Sequence, residues 1–214
     1  MALITEYKGV YKMNTIENKI DEISGSLYKS IVPVDSDIKY LTECLQNVKL
    51  DGLWLEFGVY TGTSISNISS LTKNLVYGFD SFEGLHEHWD KNNPQWRYSL
   101  NGNIPQINWA SNIRLIKGYF EETLPKFVEE HRENVAFLHV DSDLYSSAKT
   151  IFSNLKDRII PGTVICFDEF CDYPDYRKHE IKAFAEFLLD TNLNYRCLAY
   201  RPTEYARVCF IIEK

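Results

Sequence analysis

The sequence lacks almost every local signature that would name a chemistry outright. Its five cysteines (Cys44, Cys166, Cys171, Cys197, Cys209) are odd in number and contain no CxxC pair. That argues against a zinc or disulfide framework and for reduced thiols in a cytoplasmic protein. The five histidines show no HExxH spacing, and no GxGxxG dinucleotide fingerprint is present, which counts against a nicotinamide dehydrogenase. No apolar run reaches membrane-spanning length, and "MALITEYKGVYKMN" at the start has no signal-peptide core, so membrane insertion is not expected. Positive charge is in deficit too. With 23 basic against 30 acidic residues the net charge is −7, which argues against a nucleic-acid partner. Internal repeats and low-complexity segments are absent.

What is present is core-forming material. The 214 residues are 44% hydrophobic and 14% aromatic, enough for one sizeable domain. Ile16, Ile20, Ile23 and Leu27 recur at helical spacing and predict an amphipathic helix over 15–29. "VPVDSD" breaks it, and Asp35 or Ser36 is placed to cap a second helix carrying Ile38, Leu41 and Leu45.

From Leu53 onward, apolar runs at 53–57, 75–79, 113–116, 135–140 and 163–167 alternate with helical patterns near 63–72, 121–132, 144–157 and 176–190. Such alternation predicts a mostly parallel sheet with helices on both faces. "YRCLAY" and "ARVCFIIE" leave no room for a helix between them. They predict a C-terminal hairpin whose last strand enters antiparallel. Residues 84–111 form a long polar stretch with Trp89, Trp96 and Trp109, expected to be a lid or substrate wall.

Ligands of open α/β sheets bind outside the carboxyl ends of the strands, and the polar residues of interest gather there. The first strand leads into Glu56-Phe57-Gly58-Val59-Tyr60-Thr61-Gly62, where glycines permit close backbone approach and the next helix offers free N–H groups. Asp80 ends the second strand, an acid placed to accept from a ribose diol. Gly118 opens a turn after the third, where Phe120 can lie against a flat base, or Glu121 to Leu124 are just the first turn of a helix closed by Pro125. Asp141, Asp143, Asp168 and Glu169 crowd two neighbouring strand ends, an arrangement that calls for a cation. All-oxygen donors suit Mg²⁺ or Ca²⁺. His139 reads as a core residue, while His86, His88 and His179 lie where a substrate can approach.

"LEFGVYTGTSI", "GFDSFEGL", "IRLIKGYFEETLP", "FLHVDSDLYSSAKTIFSNL" and "PGTVICFDEF" together resemble class I S-adenosylmethionine-dependent methyltransferases, and more narrowly the macrocin O-methyltransferases, which methylate sugar hydroxyls in antibiotic biosynthesis. The resemblance implies a Rossmann-like sheet over 49–214, preceded by a helical cap segment over 1–48. It puts Glu56, Gly58, Tyr60 and Ser64 around the methionine part of the donor. Asp80 with Ser81 would meet the ribose, and Gly118 with Phe120 the adenine. A divalent cation, Mg²⁺ first, would fall on Asp141, Asp168 and Glu169, the last standing where the family usually has aspartate. Asp141 is the first choice of general base and His179 the second. Asp143 and Tyr145 would line the acceptor pocket. A small-molecule or glycan acceptor is implied, and a homo-oligomer is compatible. Two rivals stand beside this reading: a metal-dependent glycosyltransferase using "DSD" as a DxD motif, and a non-catalytic methyltransferase-like binding protein.

Overall fold

The computed structural model describes residues 2–30 and 36–214, with side chains from residue 15 onward. Seven strands form one sheet: β1 (Leu53–Phe57), β2 (Val76–Asp80), β3 (Ile113–Lys117), β4 (Val135–Val140), β5 (Val164–Cys171), β6 (Asn194–Arg201) and β7 (Ala206–Glu213). Their spatial order is β3-β2-β1-β4-β5-β7-β6. The first five run parallel, and β7 enters antiparallel between β5 and β6, as the missing helix before it requires. The chain moves outward from β1 to β3 and then returns to β4 on the other side of β1. The crevice between β1 and β4 is therefore the switch point at which such sheets hold ligands.

Alternation sorts the side chains onto two covered faces. Leu53, Leu55 and Phe57 of β1 join α1 (Ala2–Leu27), α4 (Phe120–Glu130), α5 (Tyr145–Leu155) and α6 (Glu180–Thr191) in one core, whereas Trp54 joins α2 (Asp37–Leu45) and α3 (Thr63–Ser70) in the other. Every residue of β1 is buried, while the outer strand β3 is largely uncovered. The predicted periodic residues Ile16, Ile20, Ile23 and Leu27 are all buried, and their helix begins well before residue 15. Ser36 caps α2 by accepting from the Lys39 N–H at 3.4 Å; Asp35, the other candidate, lies outside the described residues. No helix among the described residues is long and apolar enough to cross a membrane.

Two departures matter for the site. β5 continues past Phe167 to Cys171 through a register shift, so Asp168 and Glu169 sit within an irregular strand rather than after it. The helix expected over 176–190 is broken: a short 3₁₀ turn (Tyr176–Lys178) precedes α6, and His179 between them has a non-helical backbone.

The three tryptophans of 84–111 do different things. Trp89 is buried against Tyr173 and Tyr205, Trp96 is exposed, and the Trp109 ring lies over Gly62. The segment is pinned by paired backbone bonds between Leu85 and the 96–97 turn, and by Leu100 and Gly102 donating to the Phe82 carbonyl.

Candidate active site at the carboxyl edge of the sheet

The turn after β1 is tight because nothing larger than glycine fits. Gly58 has φ 94°, and a Cβ there would lie 1.7 Å from the Asp141 carbonyl oxygen. The turn is held by Asp80 at the end of β2. One carboxylate oxygen accepts from the Val59 and Tyr60 N–H groups at 2.8 and 2.7 Å, the other from Phe82 N–H at 2.6 Å. Asp80 is thus an internal clamp on the glycine turn. With three of about four acceptor positions used, one remains for a ligand. Tyr60 is carried at φ 46°, and its ring meets Tyr98 of the long loop edge-on at 5.6 Å.

Beneath the turn, Glu56 is completely buried. Burial pushes its carboxyl well above the ordinary range, against the pull of the Ser64 hydroxyl that donates to it at 2.5 Å. His139 lies 4.0 Å from Glu56, and burial lowers its pKa to about 4. It is a buried ring, as the sequence suggests, but not a satisfied one: its Nδ1 has no hydrogen-bond partner among the described residues, and it clusters with Glu56 and Asp141.

Above the turn lies a cavity of about 260 Å³. Gly58, Tyr60, Asp80, Ser81, Gly118 and Phe120 line it, together with Asp141, Asp143, Asp168 and Glu169 and the loop residues His86 and Tyr98. The long loop is therefore a wall of this cavity. A second cavity of about 230 Å³ shares Tyr60, Asp141 and Asp168 with the first and reaches Ser64, Tyr40 and Arg207. Phe120 is edge-on to Phe57 at 5.2 Å, opens α4 and borders the cavity.

The acids do not group as the sequence suggests. Asp141, Asp143 and Glu169 bring oxygen atoms within 4.8 Å of one another. Burial first, and the Asp168 charge second, push all three upward, Asp143 to about 7. Asp168 borders this trio, with a side-chain hydrogen bond to Glu169, but is not one of the three. Arg207 on β7 holds it through Nε and, at 3.0 Å, through Nη2. Despite burial, those bonds keep Asp168 below the ordinary carboxylate range. Arg207 also reaches Asp37 of α2. His179 is corrected as well: the break before α6 turns its ring toward Trp89 and Tyr173, and it lines neither cavity.

A model of the methyltransferase domain family matches residues 55–170, more than half of the chain. The chain belongs to that methyltransferase family. It is an S-adenosylmethionine-dependent methyltransferase with the class I fold, and that membership sets aside the nucleotide-sugar reading of Asp141-Ser142-Asp143. Among solved structures, the calicheamicin methyltransferase CalS11 superposes with TM-score 0.67 at 21% identity, over 82% of this chain and 78% of that one. A second, apo structure of CalS11 is described as a TDP-rhamnose 3'-O-methyltransferase. The O-methyltransferase NovP gives TM-score 0.63 at 18% identity, over 83% and 79%. An O-methyltransferase from Bacillus cereus in complex with SAH gives 0.50 at 18%, over 94% and 91%. No curated protein sequence matches the chain.

Two residues in or beside the candidate site escape a sequence reading. Arg207 is the one charge in the middle of "ARVCFII", the only hint that it serves something. Glu180 gives no local signal. It is fully buried at the start of α6, where its Oε1 accepts from both the backbone N–H and the hydroxyl of Ser142 at 3.1 Å. It therefore fixes the turn between Asp141 and Asp143. Burial, then the Asp143 charge, push Glu180 well above the ordinary range. A group whose folded pKa is raised gives its full stabilisation below its unfolded value, about 4.3, and loses it as pH rises through the folded value. Glu180→Gln keeps an oxygen for both Ser142 bonds. It is expected to melt above wild type at pH 8, by ~2–4 °C for each kcal/mol recovered, and no higher at pH 4. Calorimetric scans at the two pH values check this; an identical difference at both would remove Glu180 as the titrating group.

Proposed function

We propose that this methyltransferase moves the methyl group of S-adenosylmethionine to a hydroxyl of a sugar or other vicinal diol, with a divalent cation at the carboxylate trio. The observation that carries the cation is the trio itself: three converging carboxyls with raised pKa values, one of which, Glu169, has a buried Oε2 without a hydrogen-bond partner. An all-oxygen set of this kind fits Mg²⁺. Asp141 and Glu169 would hold the ion, and Asp168, whose two bonds to Arg207 leave acceptor positions open, borders the same cavity. When bound, such an ion lowers the cost of deprotonating a hydroxyl and balances the charge that develops on it.

The chain's own residues supply the rest. The turn at Gly58–Gly62, clamped by Asp80, meets the amino-acid end of the donor with Glu56 and Ser64 behind it. Ser81, Gly118 and Phe120 border the space for the nucleoside. Asp143 takes the proton. Its carboxylate makes no hydrogen bond among the described residues, its backbone is held at φ 60°, and it lines the cavity next to Asp141. This moves the base from Asp141, the choice read from the sequence, because Asp141 is assigned to the ion. Tyr98 and Tyr60 present an aromatic edge to the acceptor. The activity of CalS11, a TDP-rhamnose 3'-O-methyltransferase, supports the acceptor class. All five cysteines are free, the state a reducing cytoplasm maintains, and we place the activity there.

The test is a calorimetric titration with S-adenosylhomocysteine, with and without Mg²⁺, followed by incubation with S-adenosylmethionine and a panel of nucleotide sugars. Micromolar binding and a Mg²⁺-dependent mass gain of one methylene on a sugar are expected. Absence of binding, or transfer to nitrogen only, would sink the proposal.

A further inference from the structure

Away from the carboxylates, three cysteines from three elements converge. Cys44 of α2, Cys166 of β5 and Cys209 of β7 bring their Sγ atoms within 4.8 Å of one another. Cys166 and Cys209 are direct cross-strand partners, and α2 lays Cys44 over them. All three are fully buried and none forms a disulfide. Tyr40, one turn before Cys44, faces the same sulfur. Its hydroxyl is buried and has no well-formed hydrogen bond. Burial opposes a charge on Cys44, yet hydrogen bonds from Cys166 and Cys209 pull its thiol down to about 5. The three sulfurs thus already point at a shared centre.

We propose that Cys44, Cys166 and Cys209 form a three-thiolate site for Zn²⁺, separate from the carboxylate trio. Thiolates select zinc over hard cations such as Mg²⁺. With Zn–S bonds near 2.3 Å, tetrahedral ligands stand about 3.8 Å apart, so the sulfurs close by roughly an ångström or less. The Tyr40 hydroxyl lies beside Cys44, and the fourth position is left to water or a further ligand. Zn²⁺ displaces the thiol protons, which leave to solvent, and its two positive charges offset two of the three thiolate charges, so no more than a single net charge is buried. The site has a structural consequence. α2 also carries Asp37, which Arg201 and Arg207 grip, and Tyr40 and Leu41, which line the second cavity. The ion fastens that cavity wall to the sheet.

The experiment titrates the reduced full chain with Co²⁺ in excess Mg²⁺, which occupies oxygen sites. Sulfur-to-cobalt charge-transfer bands with the intensity of three Co–S bonds are expected, judged against standards of known thiolate number. Zn²⁺ should displace them and raise the Tm. Cys44→Ala should lose both effects, and Cys197→Ser, outside the cluster, should keep them. If Cys44→Ala does not fold, the wild-type band intensity decides alone. A saturated protein without sulfur bands, a band that survives Cys44→Ala, or a disulfide among the three in freshly reduced protein overturns the proposal and leaves them as small apolar core residues.

Discussion

Asp143→Asn is expected to lower kcat by ~10²–10⁴-fold, the usual contribution of a positioned general base, while S-adenosylhomocysteine binds as it does to wild type. The substitution isolates basicity. Asparagine is nearly isosteric and tolerates the left-handed backbone that Asp143 adopts at φ 60°, so the turn should survive. The neighbouring Ser142 remains anchored by Glu180. What disappears is a carboxylate that has no hydrogen-bond partner among the described residues and faces the first cavity. Single-turnover rates measured beside calorimetric affinities separate the two effects. The companion variant Asp141→Asn should also lose turnover, but together with the Mg²⁺ dependence of binding. If Asp143→Asn keeps turnover within about tenfold of wild type, against the usual effect of losing a base, the proton goes elsewhere and Asp141 regains the role.

Asp80→Ala should cost the donor site at least ~100-fold in affinity. The reason lies in the backbone rather than in a direct contact. Three N–H groups, of Val59, Tyr60 and Phe82, end on this one carboxylate, and hydrogen bonds to a charged acceptor are worth about 1.5–3 kcal/mol each. Without them the turn over Gly58 and Gly62 loses its shape. Water can replace part of the loss, which is why the expected effect is less than the sum. Asp80→Asn should fall between, because its amide nitrogen meets an N–H that needs an acceptor. Titration calorimetry gives the affinities, and amide exchange at Tyr60 reports the turn. Undiminished binding by Asp80→Ala would show that the clamp is dispensable.

Much of the fold could be read from the chain because buried parallel strands announce themselves. LWLEF is apolar but for Glu56 and is buried on both faces; the hairpin followed from the absence of helical length between two apolar runs. The glycine turn and the position of Asp80 were equally legible. The partners of the acids were not. Whether Asp168 faces its neighbours or Arg207 depends on a register shift in β5 and on a strand some 39 residues further along, and no local pattern encodes that. His179 was misplaced for a similar reason, since one non-helical residue between a 3₁₀ turn and α6 redirects its ring. Glu180 reads as an ordinary helix-start acid, and only the packing of α6 under the Asp141 turn buries it.

The acid-rich edge also bears on how the enzyme tells its donor from what the donor becomes. S-adenosylmethionine carries one positive charge more than the homocysteine compound left after transfer. Glu56, Asp80, Asp141, Asp143, Asp168 and Glu169 all stand around the two cavities or directly beneath the turn, and within the first cavity's lining there is no lysine or arginine. Carboxylates that ionise there hold the charged form and lose their attraction when the methyl group departs. If the donor binds at this edge as proposed, the same charges that admit it would release it once spent, and rising ionic strength, by screening them, should narrow the enzyme's preference between the two.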